Sequence, residues 1–182
     1  MSQSLLLIDI QNDYFPGGAM ELKGSSRAAA QAGKLLRAFR AKALSVIHIQ
    51  HISTRPGAAF FLPDTTGVHI HESVAPLSGE PVFQKHYPNS SHETRLLEHL
   101  RGHGITRLVI AGMMTHMCID TSVRAAFDLG FPCVLAHDAC ATKALSFNGV
   151  SVPEESVQTA FLAALNGSFA AVLPVDEICA GL

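Results

Sequence analysis

Short apolar runs alternate with longer amphipathic segments along most of the chain. Six short runs predict strands of a mostly parallel sheet, at residues 4–10, 44–49, 82–85, 108–111, 133–137 and 171–174, and the first two are apolar enough to be buried. Helical spacing and end signals predict the helices between them. The first helix begins near Ser25 and Ser26, which can cap it, and the others cover 94–103, 118–129 and 153–167. This alternation predicts a doubly wound α/β fold, with a mostly parallel six-stranded sheet and helices on both faces. We expect a single domain over residues 1–182.

Segment 51–81 interrupts the alternation. Proline and glycine recur through it, and no periodic element is predicted there. A stretch of this length in a compact domain is more often a functional cover or contact segment than a linker. Its consecutive apolar residues Phe60, Phe61 and Leu62 would be unfavourable in free solvent. We therefore expect them to pack over a pocket or against another subunit.

Composition narrows the classes of partner. The 182 residues are 48% hydrophobic, which is enough for one sizeable core. The formal net charge is -2 and the 13 Lys and Arg residues are scattered, so nucleic acid is not an expected partner. Charged residues make up 15% of the chain, below the usual quarter. This deficit predicts that apolar surface is hidden in a homo-oligomer, either a dimer or a tetramer.

The cellular compartment is predicted from the N-terminal segment and from the spacing of the cysteines. The first apolar run has no basic leader, and no apolar stretch approaches the roughly 20 residues of a membrane span. No membrane partner is therefore expected. The four cysteines form no C-x-x-C pair, which is typical of a reducing compartment. We predict a cytoplasmic protein.

Three reactive side chains fall at or just beyond predicted strand ends: Asp9, Lys85 and Cys118. Ligands of parallel sheets bind outside the carboxyl ends of the strands, so these side chains should converge. A carboxylate can accept a thiol proton, while an ammonium group keeps the carboxylate ionised and favours the thiolate. Taken alone, each residue is commonly a buried thiol, a turn acid or a surface lysine. Together they predict a nucleophile, its base and their electrostatic partner.

Cys118 is predicted to open a helix. Unpaired N–H groups at a helix N-terminus stabilise a thiolate, so we expect a lowered thiol pKa. The same N–H groups could receive the oxyanion formed when sulfur attacks a carbonyl. His116 is an alternative base, but residues two apart on a helix point away from each other.

Long stretches of the chain resemble the isochorismatase-like cysteine hydrolases, a family that includes nicotinamidases and related amidases. The matching stretches are residues 5–16, 83–90 and 111–130. The resemblance implies that Asp9, Lys85 and Cys118 form the Asp-Lys-Cys triad of that family. It also implies hydrolysis of a small molecule without a cofactor, and the retained thiol favours cleavage of an amide bond.

Further site residues follow from the resemblance. It implies a cis peptide between Met113 and Met114, with the N–H groups of Met114 and Cys118 directed at the oxyanion. Tyr14 matches an aromatic position of the first motif, and Tyr14 and Gln11 are the candidate substrate contacts.

Departures from the family pattern keep alternatives open. Nicotinamidases carry an Asp-x-His metal pair after the second strand, whereas residues 48–52 read His-Ile-Gln-His-Ile. His69 and His71 add imidazoles but no acid at ligand spacing, so no metal is predicted. Isochorismatases that cleave a vinyl ether use the aspartate as an acid and can lack the cysteine. A vinyl-ether hydrolase using Asp9, and a catalytically silent binding protein, are therefore the alternatives.

Overall fold

A parallel sheet forms the centre of the computed structural model, which describes residues 2–182. The strands in this range are β1 (Gln3–Ile8), β2 (Ser45–His51), β3 (Val82–Lys85), β4 (Arg107–Met113), β5 (Cys133–Ala141), β6 (Leu145–Phe147), β7 (Val150–Val152) and β8 (Ala170–Leu173). Six of them form the sheet, in the order β3-β2-β1-β4-β5-β8, and each neighbouring pair is parallel. The predicted α/β class and six-stranded parallel sheet are confirmed.

Helices cover both faces of the sheet. They are α1 (Ser25–Ala41), α2 (Leu96–Gly102), α3 (Asp120–Asp128), α4 (Glu154–Leu165) and α5 (Val175–Ala180). Helices α1 and α5 pack on one face, and α2, α3 and α4 pack on the other. Alternate residues of β1 supply the two cores, with Leu5 and Leu7 on the α1 side and Leu6 and Ile8 on the α3 side. Burial on both faces explains why the run is continuously apolar.

Some element boundaries differ from the prediction because backbone conformation overrides the apolar pattern. The first strand ends at Ile8, since Asp9 has a φ of 52°, a left-handed conformation that a strand cannot continue. The predicted capping of α1 by its serines is wrong: the helix begins at Ser25, and Gly24 is its N-cap without a side-chain bond. Helix α2 begins at Leu96, whose N–H donates to the Thr94 hydroxyl.

Two short elements were not predicted. Strands β6 and β7 form an antiparallel hairpin outside the main sheet, and α5 has only six residues. Elements this short carry too few residues for periodicity to identify them. Helix α5 is fixed by a contact distant in sequence, in which the Val175 N–H donates to Asp138 Oδ1 at 2.9 Å.

Segment 51–81 has no long element, as expected, although His51 closes β2. Two 3₁₀ turns, Thr66–Val68 and Glu72–Val74, lie within it. An isolated antiparallel bridge joins Gln11 to Ile70 and ties the segment to the loop after β1. Among the helices of residues 2–182, none combines the length and the apolar character that crossing a membrane requires.

Candidate active site

The carboxyl ends of three strands bring Asp9, Lys85 and Cys118 into contact. Asp9 directly follows β1, Lys85 is the last residue of β3, and Cys118 lies in the turn after β4. Lys85 Nζ donates to Asp9 Oδ2 at 2.7 Å and lies 3.3 Å from Cys118 Sγ. The exposed fractions of the three residues are 0%, 1% and 5% in that order. The ammonium therefore bridges the carboxylate and the sulfur within the protein interior.

Strands β1 and β4 approach each other closely at Ile8, the residue before Asp9. Gly112 has a φ of 139°, and a Cβ built on it would lie 1.9 Å from the carbonyl oxygen of Ile8. A side chain at this position would push the two strands apart, so glycine is required there. The Asp9 N–H donates to the carbonyl of Ile49 at 3.1 Å, which fixes the same residue from the other neighbouring strand.

The turn that carries Cys118 is not the start of an α-helix, which corrects the prediction. Residues Thr115–Ile119 form a π-helical turn, and α3 begins at Asp120. A π turn is frequent at functional sites and is not detectable from hydrophobic periodicity. The peptide between Met113 and Met114 is cis. Among residues 2–182, no backbone carbonyl accepts a hydrogen bond from the Met114 N–H.

Burial, not the ammonium group, has the largest effect on the titration of the Cys118 thiol. Burial raises the pKa of the Cys118 thiol, the Asp9 carboxylate raises it further, and Lys85 only partly opposes them. The expected lowering of this pKa is therefore wrong for the free protein. Burial also works against charge on Lys85, yet Asp9 and Cys118 raise its pKa overall. The resting site contains a protonated thiol beside a carboxylate–ammonium pair.

One oxygen of the Asp9 carboxylate is free to act as a proton acceptor. Oδ2 receives the Lys85 hydrogen bond, whereas the buried Oδ1 has no partner among residues 2–182. A carboxylate oxygen of Asp9 and the Cys118 sulfur lie within 4.8 Å of each other. An unpaired buried oxygen is costly, so its retention here is consistent with use in chemistry.

His51 also belongs to this cluster, and sequence analysis considered it only as a metal ligand. Its Nδ1 lies 3.1 Å from Lys85 Nζ. An ammonium group can only donate, so Nδ1 accepts and the ring proton resides on Nε2. Burial lowers the pKa of His51 to about 4, which keeps the ring neutral. Sequence analysis missed this contact because it depends on strand register: His51 and Lys85 are partners at the ends of neighbouring parallel strands.

The histidine-rich region does not form the metal site of nicotinamidases. His48 Nε2 donates to Glu80 at 2.9 Å, and His71 Nδ1 pairs with the Ser73 hydroxyl at 2.9 Å, so these rings have separate partners.

Ligand atoms of Asp9, His51 and Cys118 do lie within 4.8 Å of one another. The ammonium of Lys85, however, contacts all three and occupies the position that a cation would take. The residues present therefore do not fit a metal ion.

Aromatic residues cover one side of the site. The Phe61 ring lies 4.7 Å from Tyr14, 4.9 Å from Phe60 and 5.8 Å from His51, measured between centroids. The Phe61 N–H donates to Asp13 at 2.6 Å, which attaches segment 51–81 to the loop after β1. Tyr14 is buried, and burial is the largest cause of its raised pKa, followed by Cys118 and Asp9.

Part of the expected cover is therefore present. Phe60 and Phe61 pack against the core beside the site, whereas Leu62 is 37% exposed.

Two other candidates occupy different places. Gln11 Nε2 donates to the carbonyls of His51 and Val68 at 2.9 and 2.7 Å, and its Oε1 accepts the His51 N–H at 2.7 Å. Both Nε2 hydrogens are therefore used, and only the second lone pair of Oε1 could accept from a substrate without breaking one of these bonds. His116 Nδ1 hydrogen-bonds with the Thr142 hydroxyl at 2.5 Å, so this ring is engaged outside the Asp9–Lys85–Cys118 cluster.

A parallel sheet that gathers a thiol, a carboxylate and an ammonium at one edge places the protein among α/β enzymes. Residues 3–177 match the family model described as Isochorismatase domain, and the chain belongs to the isochorismatase family. Its relatives include hydrolases, and the protein is a hydrolase of this family.

Individual relatives extend over most of the chain. The uncharacterized isochorismatase family protein YddQ of Bacillus subtilis is 51% identical over 172 residues, covering 94% of this chain and 96% of that protein. A crystal structure assigned to the isochorismatase hydrolases, from Oleispira antarctica, has a TM-score of 0.95 and 49% identity, and covers 99% of this chain and 97% of its own. Streptothricin hydrolase of Streptomyces noursei is 34% identical over 140 residues, covering 77% of this chain and 50% of that protein.

Proposed function

We propose that the protein hydrolyses a carbon–nitrogen amide bond of a small molecule through a thioester on Cys118. The observation that carries this proposal is the position of Lys85 Nζ, 2.7 Å from the Asp9 carboxylate and 3.3 Å from the Cys118 sulfur. Such a buried charge pair beside a thiol gives the nucleophile a base and gives the developing thiolate a counter-ion. The kinship with a streptothricin hydrolase supports hydrolysis, and the retained thiol favours acyl transfer.

Acylation couples a proton transfer to the formation of the sulfur–carbon bond. Asp9 Oδ1, which has no other hydrogen-bond partner in residues 2–182, takes the proton of the Cys118 thiol. The sulfur electron pair forms a bond to the amide carbonyl carbon, and the carbonyl π pair moves onto oxygen. The N–H groups of Met114 and Cys118 are the proposed donors to that oxyanion. That no backbone carbonyl in residues 2–182 accepts from the Met114 N–H supports this assignment.

Collapse of the oxyanion breaks the carbon–nitrogen bond. Asp9 returns its proton to the leaving nitrogen, which departs as ammonia or an amine. A water molecule then attacks the thioester and gives its proton to Asp9. Release of the acid product restores the Cys118 thiol as Asp9 gives that proton back to the sulfur. Each atom and charge is recovered, so one carboxylate serves as base and acid in turn.

The raised pKa of Cys118 defines when the thiolate forms. A free thiolate would be rare near neutral pH because burial and Asp9 both oppose it. Sulfur therefore loses its proton only as its bond to the carbonyl carbon forms, when charge passes on to the oxyanion. This coupling protects the resting thiol from other electrophiles. Tyr14, with its ring close to Phe61, is the proposed wall against a flat substrate. A homo-oligomer and a cytoplasmic location stay predictions from composition.

The test is a screen of small primary amides with ammonia release as the readout. For the amide that wild type hydrolyses fastest, Cys118→Ala should lower turnover by about three orders of magnitude or more, because the nucleophile is gone. Cys179→Ala is the matched control, since its thiol lies in α5 and should leave turnover within about threefold. Intact-mass measurement after rapid quenching should find the acyl adduct on wild type alone.

The alternatives give different patterns. A vinyl-ether hydrolase would tolerate Cys118→Ala and lose activity in Asp9→Asn. A silent binding protein would release no ammonia from any amide, in wild type or in variants. Near-full turnover of Cys118→Ala on a confirmed amide would exclude the thioester route.

A further inference from the structure

The side chain of His51 contacts the proposed triad, and the mechanism above leaves it without a role. It is the last residue of β2, and its Nδ1 lies 3.1 Å from Lys85 Nζ. Its main chain is held on both sides by Gln11, whose amide accepts the His51 N–H at 2.7 Å and donates to the His51 carbonyl at 2.9 Å. A residue clamped in this way presents its ring at a fixed place.

The Lys85 ammonium is anchored at more than one point. Besides Asp9 and His51, it donates to the carbonyl oxygen of Tyr87 at 3.1 Å. An ammonium group has three hydrogens, and here four acceptors surround it, of which the sulfur of Cys118 at 3.3 Å is the most distant. The three oxygen and nitrogen acceptors thereby hold Nζ in place beside the sulfur, to which it also donates. Loss of one anchor would let Nζ move toward Asp9 and away from sulfur.

We propose that His51 is a positioning residue that uses Nδ1 to hold the Lys85 ammonium between the Asp9 carboxylate and the Cys118 sulfur. This inference rests on the proposed role of Cys118 as nucleophile, and it adds a residue to which neither the family resemblance nor the mechanism gives a part. The ring acts through Lys85 and needs no contact with the substrate.

The surroundings of the ring support acceptance by Nδ1. The charged and titratable groups facing it are Asp9, Lys85, His86 and Arg55. Burial is the largest influence on His51 and lowers its pKa to about 4, and three of these neighbours act in the same direction. The ring therefore carries no proton on Nδ1 across the range in which a hydrolase works.

Two substitutions separate acceptance by Nδ1 from packing of the ring. His51→Asn removes the ring but keeps a carbonyl oxygen on the atom that bears Nδ1, so it can accept from Lys85. His51→Phe keeps a ring that can pack against Phe61, at the present centroid separation of 5.8 Å, but removes the acceptor. If acceptance by Nδ1 matters, His51→Asn should behave like wild type. If only packing of the ring matters, His51→Phe should behave like wild type.

The first readout is hydrolysis of the amide identified above. His51→Phe should lower kcat by about 10- to 100-fold with KM nearly unchanged, because the transition state loses a well-placed ammonium. His51→Asn should stay within about threefold of wild type.

The second readout needs no substrate. The rate of iodoacetamide alkylation of Cys118 at one fixed pH, followed by peptide mass spectrometry, reports the fraction of thiolate. Lys85 is the group that lowers the thiol pKa, so its displacement in His51→Phe should slow alkylation by about tenfold. His51→Asn should alkylate at the wild-type rate.

Thermal unfolding of each variant shows whether it is folded. If His51→Phe does not fold, His51→Gln replaces it, because its amide lies one bond further out and supplies no acceptor at the Nδ1 position. Equal kcat and equal alkylation rates in wild type and His51→Phe would overturn the inference, and so would an Asn variant as impaired as Phe. A failure of the proposed function is distinct: wild type would release no ammonia, while the alkylation series would still order the variants.

Discussion

Replacement of Lys85 by methionine tests whether the Asp9–Lys85 pair is charged and sealed from water. The pair has Nζ and Oδ2 at 2.7 Å, and both side chains are 0% exposed. At an effective dielectric constant of about 20, unit charges at this separation attract by about 6 kcal/mol. Desolvation of two buried ions costs several kcal/mol each, so the pair as a whole adds little net stability.

The single variant removes the attraction but leaves the desolvated carboxylate. Asp9 would then have no donor on Oδ2, and Oδ1 already has none in residues 2–182. We therefore expect Lys85→Met to lower the free energy of unfolding by about 3–5 kcal/mol. In the double variant Asp9→Asn/Lys85→Met, neutral groups replace both charges, and asparagine tolerates the positive φ of residue 9. It should recover most of that loss while remaining inactive.

Urea unfolding followed by circular dichroism measures this effect, since the chain has no tryptophan. All variants are compared at one protein concentration, because assembly would stabilise the folded state. Lys34→Met is the matched control: Lys34 pairs with Asp176, but both side chains are largely exposed, and its unfolding midpoint should not change. A loss below about 1 kcal/mol in Lys85→Met, or a double variant no more stable than the single one, would refute the reasoning.

Three further predictions concern the frame of the site. Gly112→Ala should prevent folding or strongly destabilise the protein, because its Cβ would lie 1.9 Å from the Ile8 carbonyl oxygen. The yield of folded protein measures this effect. Phe61→Ala should lower the free energy of unfolding by about 3–5 kcal/mol and speed alkylation of Cys118, because a buried ring beside the site is lost. Glu80 has a pKa lowered to about 2, chiefly by its hydrogen bond to Arg40. The stability that this group contributes is present above its ordinary pKa of 4.5 and is lost as pH falls toward 2. Glu80→Gln should therefore flatten the dependence of the free energy of unfolding on pH in that range.

Each of these predictions has a control or an opposing outcome. Gly102→Ala should fold normally, since no atom lies within 4 Å of its added Cβ. Phe147→Ala should change neither stability nor alkylation, because that ring is 79% exposed. Acid-unfolding profiles of wild type and Glu80→Gln that run parallel between pH 4.5 and 2 would contradict the assignment of Glu80.

The sequence by itself determined the sheet and the residues gathered at its edge. Apolar runs identified the central strands because a strand buried on both faces must be apolar at every position, whereas the edge strands β3 and β8 are only partly buried. Asp9 and Lys85 stood out because polar side chains at the ends of such runs lie at one edge of a parallel sheet. Boundaries were less certain where a single residue changes the backbone, as Asp9 does with its positive φ.

Only the tertiary structure decided the electrostatics and the fine geometry of the site. The contact of His51 with Lys85 depends on the register between β2 and β3, which local periodicity does not encode. The raised pKa of Cys118 depends on how completely distant segments bury the sulfur, and burial outweighs the nearby ammonium. Periodicity reflects which face of an element is buried, whereas desolvation and hydrogen bonding depend on atoms that folding brings from elsewhere in the chain.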